Sequence, residues 1–476
     1  MFVLSTMAFN YAHSQITVSG STGANGSYSS LTQAGGAFAA INAAGSQAGN
    51  NILISITADV TTEDGANPLN AGDWTTLTIN PSGGGARLIS GNIAGYMIDL
   101  NGADNVTIDG LNSGENSLTI SNAGTGSSSA IRLINDASNN TITNCTITGS
   151  PNAASHGVIL LSTGTTTGND NNTVSNCNIT AEGANLPLSC IHSLGTSASV
   201  NNSGNTVTNC NISDYYRSSA AVSSAGILLN ANNSAWTITN NRLFQTATRT
   251  YISAAIHYGI YAASGEGYII SGNIIGYANE SGTGTTNMIG MSAGTLGGTF
   301  PGDYTAGGTA VGLTYRAIRC DFTAGGTVSS IQNNTIAGFA MYTSSSTATS
   351  TGIFCGINVN SGNADIGTTT GNTIGATSST GSIYTAATTS AGAIVGIYAT
   401  STNTVNIQNN TIGALDAMGT TSTTSGGITG INSAGTAGVF NISGNLDDLN
   451  PAFPSKVSDH SKSGLCGFSP HLKVGC

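Results

Sequence analysis

The segments Asn140-Thr-Ile-Thr-Asn-Cys145, Asn172-Thr-Val-Ser-Asn-Cys177 and Asn205-Thr-Val-Thr-Asn-Cys210 are near copies, and their cysteines lie 32 and then 33 residues apart. No other property of the chain constrains its fold as tightly, because a fixed period of this size means one supersecondary unit stacked on itself. Degenerate copies carry the pattern through Trp236-Thr-Ile-Thr-Asn-Asn241 and Tyr268-Ile-Ile-Ser-Gly-Asn273 to Asn445. With the last Asn or Cys of each copy as register, the steps are 32, 33, 31 and 32 to Asn273, then 61 to Asn334, then 38, 38 and 35. The step of 61 is close to double, and Met288-Ile-Gly-Met291 falls where a missing apolar run belongs. We therefore expect one degenerate extra coil there.

Each unit carries a Gly-containing apolar run, such as Ala130-Ile-Arg-Leu-Ile134, Gly259-Ile-Tyr261 or Gly396-Ile-Tyr398, and an Asn-Thr-Ile run. Alternation of β-branched and small polar residues over four to six positions is a strand signal. In Thr141-Ile142-Thr143 the Ile faces one way and the threonines the other. Strands this short cannot form long hairpins. Stacked in parallel, they bury Ile142, Val174, Val207 and Ile238 and pair each coil with its neighbours. The expected class is all-β, a single-stranded right-handed parallel β-helix (a solenoid) of about ten coils over residues 51–449. Variable Thr/Ser/Ala-rich loops, such as 343–350, 376–390 and 419–426, map to one face. The in-register Asn144, Asn176, Asn209 and Asn240 are expected to form an amide ladder at a turn, since Asn tolerates left-handed backbone. Cys145, Cys177 and Cys210 read as a neighbouring ladder of small apolar groups. Metal ligation would need two or more Cys/His closely spaced within one coil, so no metal site is expected and no cofactor is implied.

Composition bounds the partners. Charged residues make up only 7% of the 476, and the formal net charge is −11. Ten basic residues cannot build a phosphate-tracking surface, which excludes nucleic acid as a partner. The 39% apolar content at strand spacing builds a long thin core rather than a disordered chain. Residues 1–14 read as the remnant of a secretory leader without its basic start, or else as a buried first strand. No other run approaches membrane-spanning length. Eight cysteines in an exported chain raise the question of disulfides, but stacked positions on parallel strands suit that bond poorly, so mostly free buried thiols are expected. Residues 15–50 are assigned an N-terminal strand and a short capping helix over 30–44, with Ser30 as cap and Leu31, Ala34, Phe38 and Ile41 on one face. The segment 450–476 departs from the repeat. It holds all three lysines, Lys456, Lys462 and Lys473, and carries +2 against −13 for the residues before it. It is read as a separate tail or an artefact, and the whole as a piece of a longer surface protein.

Ser30-Leu-Thr with Phe38-Ala-Ala-Ile-Asn42, then Ile98-Asp-Leu-Asn-Gly-Ala-Asp-Asn-Val-Thr-Ile-Asp-Gly110, then repeated Asn-Thr-Ile, resembles right-handed parallel β-helices of the pectin-lyase-like group. Asn409-Asn-Thr-Ile-Gly413 resembles repeat-rich secreted surface proteins of Bacteroidetes-type bacteria. The resemblance covers roughly residues 16–449. It implies the fold but not one activity, since the group includes lyases, hydrolases, adhesins and tailspikes. Of the group's polygalacturonase elements, Ser155-His156-Gly157 and Asp447-Asp448 are present in reversed order, whereas Asn-Thr-Asp and Arg-Ile-Lys are missing. A hydrolase needs two carboxyls across a groove, and a lyase needs a cationic base, for which seven scattered arginines are a poor supply.

The densest site-like grouping is Arg249, Tyr251, His257, Tyr258, Tyr261, Glu266, Tyr268 and Tyr277. Exposed tyrosines on neighbouring strands would form a platform for sugar rings, with Arg249 and Glu266 as polar partners. The plain alternative is tyrosines packed along strands and turns. Thr141/Thr143, Thr173/Ser175, Thr206/Thr208 and Thr237/Thr239 form a third pattern, a flat array of the kind that could bind ice, though Thr also favours strands. The expected function is a secreted or cell-surface adhesive or structural module binding neutral polysaccharide or cell-surface glycan. The alternatives are a polysaccharide hydrolase or lyase, and ice binding.

Overall fold

The computed structural model describes residues 15–218, 222–301, 304–344, 351–376, 382–388, 392–419 and 427–448. The expected leader remnant (1–14), the tail (450–476) and parts of the three variable loops lie outside them. A single coil shows why this sequence winds as it does. Thr141–Thr143 is a three-residue strand, Asn144 turns the chain at φ 58°, and Cys145–Pro151 runs on as a second strand. A loop then leads to the third, Ile159–Leu161. Repetition builds three parallel sheets of 14, 12 and 11 strands, here called sheets I, II and III. The fold is all-β, a right-handed parallel β-helix. Sheet II fixes the height at twelve tiers rather than about ten.

The inward register follows the repeat. Ile142 pairs with Val174, Val174 with Val207, and Val207 with Ile238. All four are buried in one continuous core with their counterparts Ile108, Ile270, Ile331, Ile366 and Ile407. At the N-terminal edge, Ile16–Ser19 pairs antiparallel with Asn51–Ile56 and with Gly26–Tyr28. The capping helix is only Ala37–Ala43. Ser30 does not cap it: Gly36 holds that position, and Ala34 is exposed. The Ser30 hydroxyl instead donates to the buried Glu63 carboxylate at 2.7 Å, which also accepts the Leu31 and Thr32 N–H groups. Leu31, Phe38 and Ile41 close the core as expected.

Two further expectations need correction. No extra coil fills the 61-residue step: Ile269–Ser271 pairs directly with Ser329–Gln332, and Ile274–Gly276 with Thr335–Ala337. Met288–Met291 belongs to Thr286–Ala293, a strand of a separate six-stranded lateral sheet with Arg249–Tyr251, Phe339–Thr343, Ile383–Ala387 and Leu415–Gly419. The loops between sheets II and III have thus become a fourth wall. The amide ladder is also displaced. Asn144, Asn176, Asn209 and Asn240 do take left-handed backbone, at φ 53–58°, but the bonded ladders stand beside them. One runs through Asn140, Asn172 and Asn205. The other continues the cysteine column through Asn241, Asn273, Asn334, Asn372, Asn410 and Asn445. The six described cysteines are free and buried.

Candidate functional site

An interior cavity bounded by Leu133, Ile142, Val174, Val207 and Trp236 measures about 10 Å³, room for no more than a water molecule. Ligand chemistry therefore belongs to the outer faces. Strand alternation places on the outside of sheet III a rank that reads, tier by tier, Asp99, Arg132, Leu160, His192, Leu228, Tyr261, Arg319, Asn358, Tyr398 and Asn432. It carries two polar clusters, four tiers or about 19 Å apart at ~4.8 Å per tier.

The first expected site, residues 249–277, does not assemble as one platform. Tyr251 and Tyr268 are only 2% and 1% exposed and lie in the main core. Tyr251 packs against Tyr216 and His257, and Tyr268 stacks on Phe322 at 5.4 Å. Burial raises the pKa of both phenols. His257 is buried too, held by the Ser224 N–H donating to its Nδ1, and burial pushes its pKa down to about 3. Arg249 pairs with Asp214 and donates to Gln245, on the lateral sheet. Glu266 accepts the Thr327 N–H in a turn, and Tyr277 occupies a left-handed turn position at φ 64°. The period of the strands explains the dispersal, since residues two apart share a face and the turns scatter the rest.

Tyr258 and Tyr261 do come together. Their rings are 4.6 Å apart beside the main core cluster, Tyr258 buried at 4% exposed and Tyr261 half-exposed, with the Arg319 guanidinium 4.7 Å from the Tyr261 ring centroid. Arg319 donates to the Tyr258 hydroxyl at 3.0 Å and pairs with Asp321, which also accepts from the Tyr261 hydroxyl at 2.7 Å. Asn360 donates to Asp321 at 2.6 Å, and Asn358 donates to Asn360 at 2.9 Å. Burial and the neighbouring Asp321 carboxylate raise the Tyr261 pKa. Arg319, Asp321, Asn358, Asn360 and Tyr398 were not singled out from sequence, yet a signal existed. Each rank residue directly follows the Ile of an apolar run, as in Ala317-Ile-Arg319, Gly356-Ile-Asn358 and Gly396-Ile-Tyr398. Aligning the runs on that Ile stacks them with Tyr261.

The second cluster contains His156. Its Nε2 lies 3.2 Å from the Tyr96 hydroxyl and its Nδ1 3.1 Å from the Ser155 hydroxyl. The Arg132 guanidinium covers the Tyr96 ring at 3.4 Å and holds both Asp99 oxygens, at 2.8 and 2.6 Å. Burial and Arg132 lower the His156 pKa, leaving a neutral imidazole beside a phenol. The other polygalacturonase-like element, Asp447-Asp448, ends the last strand of sheet II, eight tiers or roughly 38 Å from the coil of His156. The two elements cannot share a groove.

The threonine array of sheet I is in register over four tiers. Ser175 donates to Thr143, and Thr239 to Thr208, at 2.9 Å each; the Thr143 rank meets Asp109 at one end, and the Thr141 rank meets Ile269 at the other. Among the described residues, no cluster of three His, Cys, Asp or Glu could hold a metal, and no helix is long and apolar enough to cross a membrane.

No family model matches the chain, and no curated protein matches it. Solved structures to which it is similar include an adhesin, an epimerase module and a tailspike. The surface adhesin PfbA of Streptococcus pneumoniae is 9% identical at a TM-score of 0.32, over 80% of this chain and 81% of that one. The A-module of the mannuronan C-5 epimerase AlgE4 of Azotobacter vinelandii is 10% identical at 0.31, over 81% and 91%. A tailspike protein mutant of an E. coli bacteriophage, in complex with a pentasaccharide, is 11% identical at 0.32, over 77% and 60%. At these identities no side-chain role carries across. Its own sheets give the chain a parallel β-helix architecture.

Proposed function

We propose that the chain is a secreted or cell-surface adhesive module, and that the outer face of sheet III around Tyr258, Tyr261 and Arg319 binds a neutral polysaccharide or cell-surface glycan. The observation that carries this reading is the half-exposed Tyr261 ring with Arg319, Asp321 and Asn360 around it on one face, held from behind by the buried Tyr258 and Asn358. Aromatic faces meet the C–H surfaces of sugar rings, and planar polar groups satisfy their hydroxyls. The net charge of −11 disfavours anionic polymers. Of the residues first singled out, Tyr258 and Tyr261 enter this site. Arg319 and Asp321 take the polar role first given to Arg249 and Glu266.

The test is a glycan array followed by titration with the Tyr258→Ala/Tyr261→Ala protein. The Tyr261 ring contributes about 0.5–1.5 kcal/mol by stacking, and Tyr258 holds it through Arg319, so the double substitution should weaken binding roughly 2- to 12-fold or more. Unchanged affinity would exclude this face. A second reading, a polysaccharide lyase or hydrolase, is favoured by the Tyr96–His156 pair beneath Arg132, which places an acid and a base within hydrogen-bond reach. The pairwise bonding of Ser175 with Thr143 and of Thr239 with Thr208 weakens the ice-binding alternative, since half of the array's hydroxyls are already engaged within it.

A further inference from the structure

The lateral sheet has a polar and aromatic face of its own. Alternation turns Phe339, Ile383 and Leu415 toward the helix core. The far side carries Asn287, Ala340, Tyr384 and Asp416 in one rank and Ile289, Tyr342 and Ala386 in the next. Met291, Tyr342 and Ala386 form a buried cluster separate from the main core. The hairpin of Leu296–Gly298 and Tyr304–Ala306 lies over it. Phe300 meets Tyr304, Tyr342 and Tyr384 edge to face, at 5.3, 6.2 and 5.7 Å between centroids. Phe300, Tyr304 and Tyr384 remain half-exposed.

Packing accounts for the rings but not for the polar groups among them. Tyr342 is 1% exposed, and its hydroxyl has no hydrogen-bond partner. The Asn287 Oδ1 atom is likewise buried and unpartnered. Each such group is destabilising until a partner arrives. Asp416 stands next to Tyr384 in the same rank, half-buried, outside every ion pair among the described residues, and burial raises its pKa.

We propose that this rank is a second saccharide-binding site, in which a neutral oligosaccharide lays its C–H faces on Phe300, Tyr304 and Tyr384 and its hydroxyls bond Asn287, Tyr342 and Asp416. All three polar groups can accept hydrogen bonds, which sugar hydroxyls supply. The Asp416 carboxylate opposes an anion, and none of the cation–π contacts among the described residues involves these rings. From Asn287 to Asp416 the rank spans three strand spacings, about 14 Å, the reach of a short oligosaccharide. The site spans the lateral sheet, with Phe300 and Tyr304 supplied by the insertion of the long coil, and does not depend on the sheet III face.

The experiment titrates the full chain with a panel of neutral oligosaccharides (cello-, manno-, xylo- and β-1,3-gluco-tetraoses), alongside three sets of substitutions. Tyr304→Ala/Tyr384→Ala should weaken binding roughly fivefold or more. Tyr342→Phe removes only the unpartnered hydroxyl. It should raise the thermal midpoint yet weaken binding by about fivefold, two changes of opposite sign that a purely structural tyrosine would not give. Tyr258→Ala/Tyr261→Ala tests the sheet III face separately and should leave this component intact. Binding by the Tyr258→Ala/Tyr261→Ala chain that survives the added lateral substitutions, or no binding by the native chain across the panel, would overturn the proposal. So would Tyr342→Phe raising the midpoint with affinity unchanged.

Discussion

Replacing Asn273 tests the column that runs the length of the stack. Asn273 is wholly buried. Its amide donates to the Ile238 carbonyl at 2.8 Å and to Asn334 Oδ1 at 2.9 Å, and its own Oδ1 accepts the Asn241 N–H and side-chain amide at 3.0 Å each. Asn273→Ala orphans the buried Asn241 N–H, at about 1–3 kcal/mol, and removes a donor from Ile238. Asn241 keeps Val207, and Asn334 keeps the Asn273 backbone, so the remaining losses are smaller. The sum is about 2–5 kcal/mol. Asn273→Cys should lose less than half of that. Three tiers earlier in this column, the Cys177 sulfur accepts the Cys145 N–H, and the Cys210 thiol donates to Val174 at 3.7 Å. Guanidinium unfolding of the three proteins gives the order. Amide exchange at Asn241 gives the local effect, which matters because a solenoid can open tier by tier. A loss below about 0.5 kcal/mol for Ala, or a Cys variant no better than Ala, would refute the ladder as the source of inter-coil cohesion.

Acid should destabilise the chain through its buried histidines. Burial holds His257 at about 3 and His192 at about 4, so below the unfolded value of about 6.5 the unfolded chain binds more protons, and stability falls as pH drops. The slope is about 1.4 kcal/mol per pH unit per histidine between roughly pH 6 and 4. His257→Gln should remove close to half of it, and an unchanged acid limb would contradict this. Deleting residues 451–476, which lack the repeat, should leave the thermal midpoint within a degree or so of the full chain; a large drop would mean that they cap the core. No unsaturated or reducing-end product should form from polygalacturonate. Product release that disappears in His156→Ala would establish the enzymatic reading instead.

The sheets were legible because their cause is local and periodic. One β-branched residue flanked by small polar ones, repeated at a near-constant step, dictates both the strand and its inward face. Ile142, Val174, Val207 and Ile238 therefore stack as read. The lateral sheet was not legible, since Met288–Met291 has the same apolar spelling as a coil strand. Only the direct pairing of Ile270 with Ile331 shows that it was pushed aside. The ladder slipped because left-handed turn residues and amide-ladder residues are both Asn, adjacent in sequence. Tyrosine density misled for a related reason. Proximity in sequence across a strand, a turn and a second strand puts Tyr251 and Tyr268 in the core, whereas Tyr261 and Arg319, 58 residues apart by number, are neighbours by register.

The glycan-binding reading is tested most directly by the crystal structure of the chain with the tightest-binding neutral oligosaccharide from the array. The account predicts a sugar ring over Tyr261, with hydroxyls on Arg319, Asp321 and Asn360, whether or not the lateral site is also filled. Sugar bound only beside Tyr96 and His156, or only along the threonine ranks of sheet I, would contradict it.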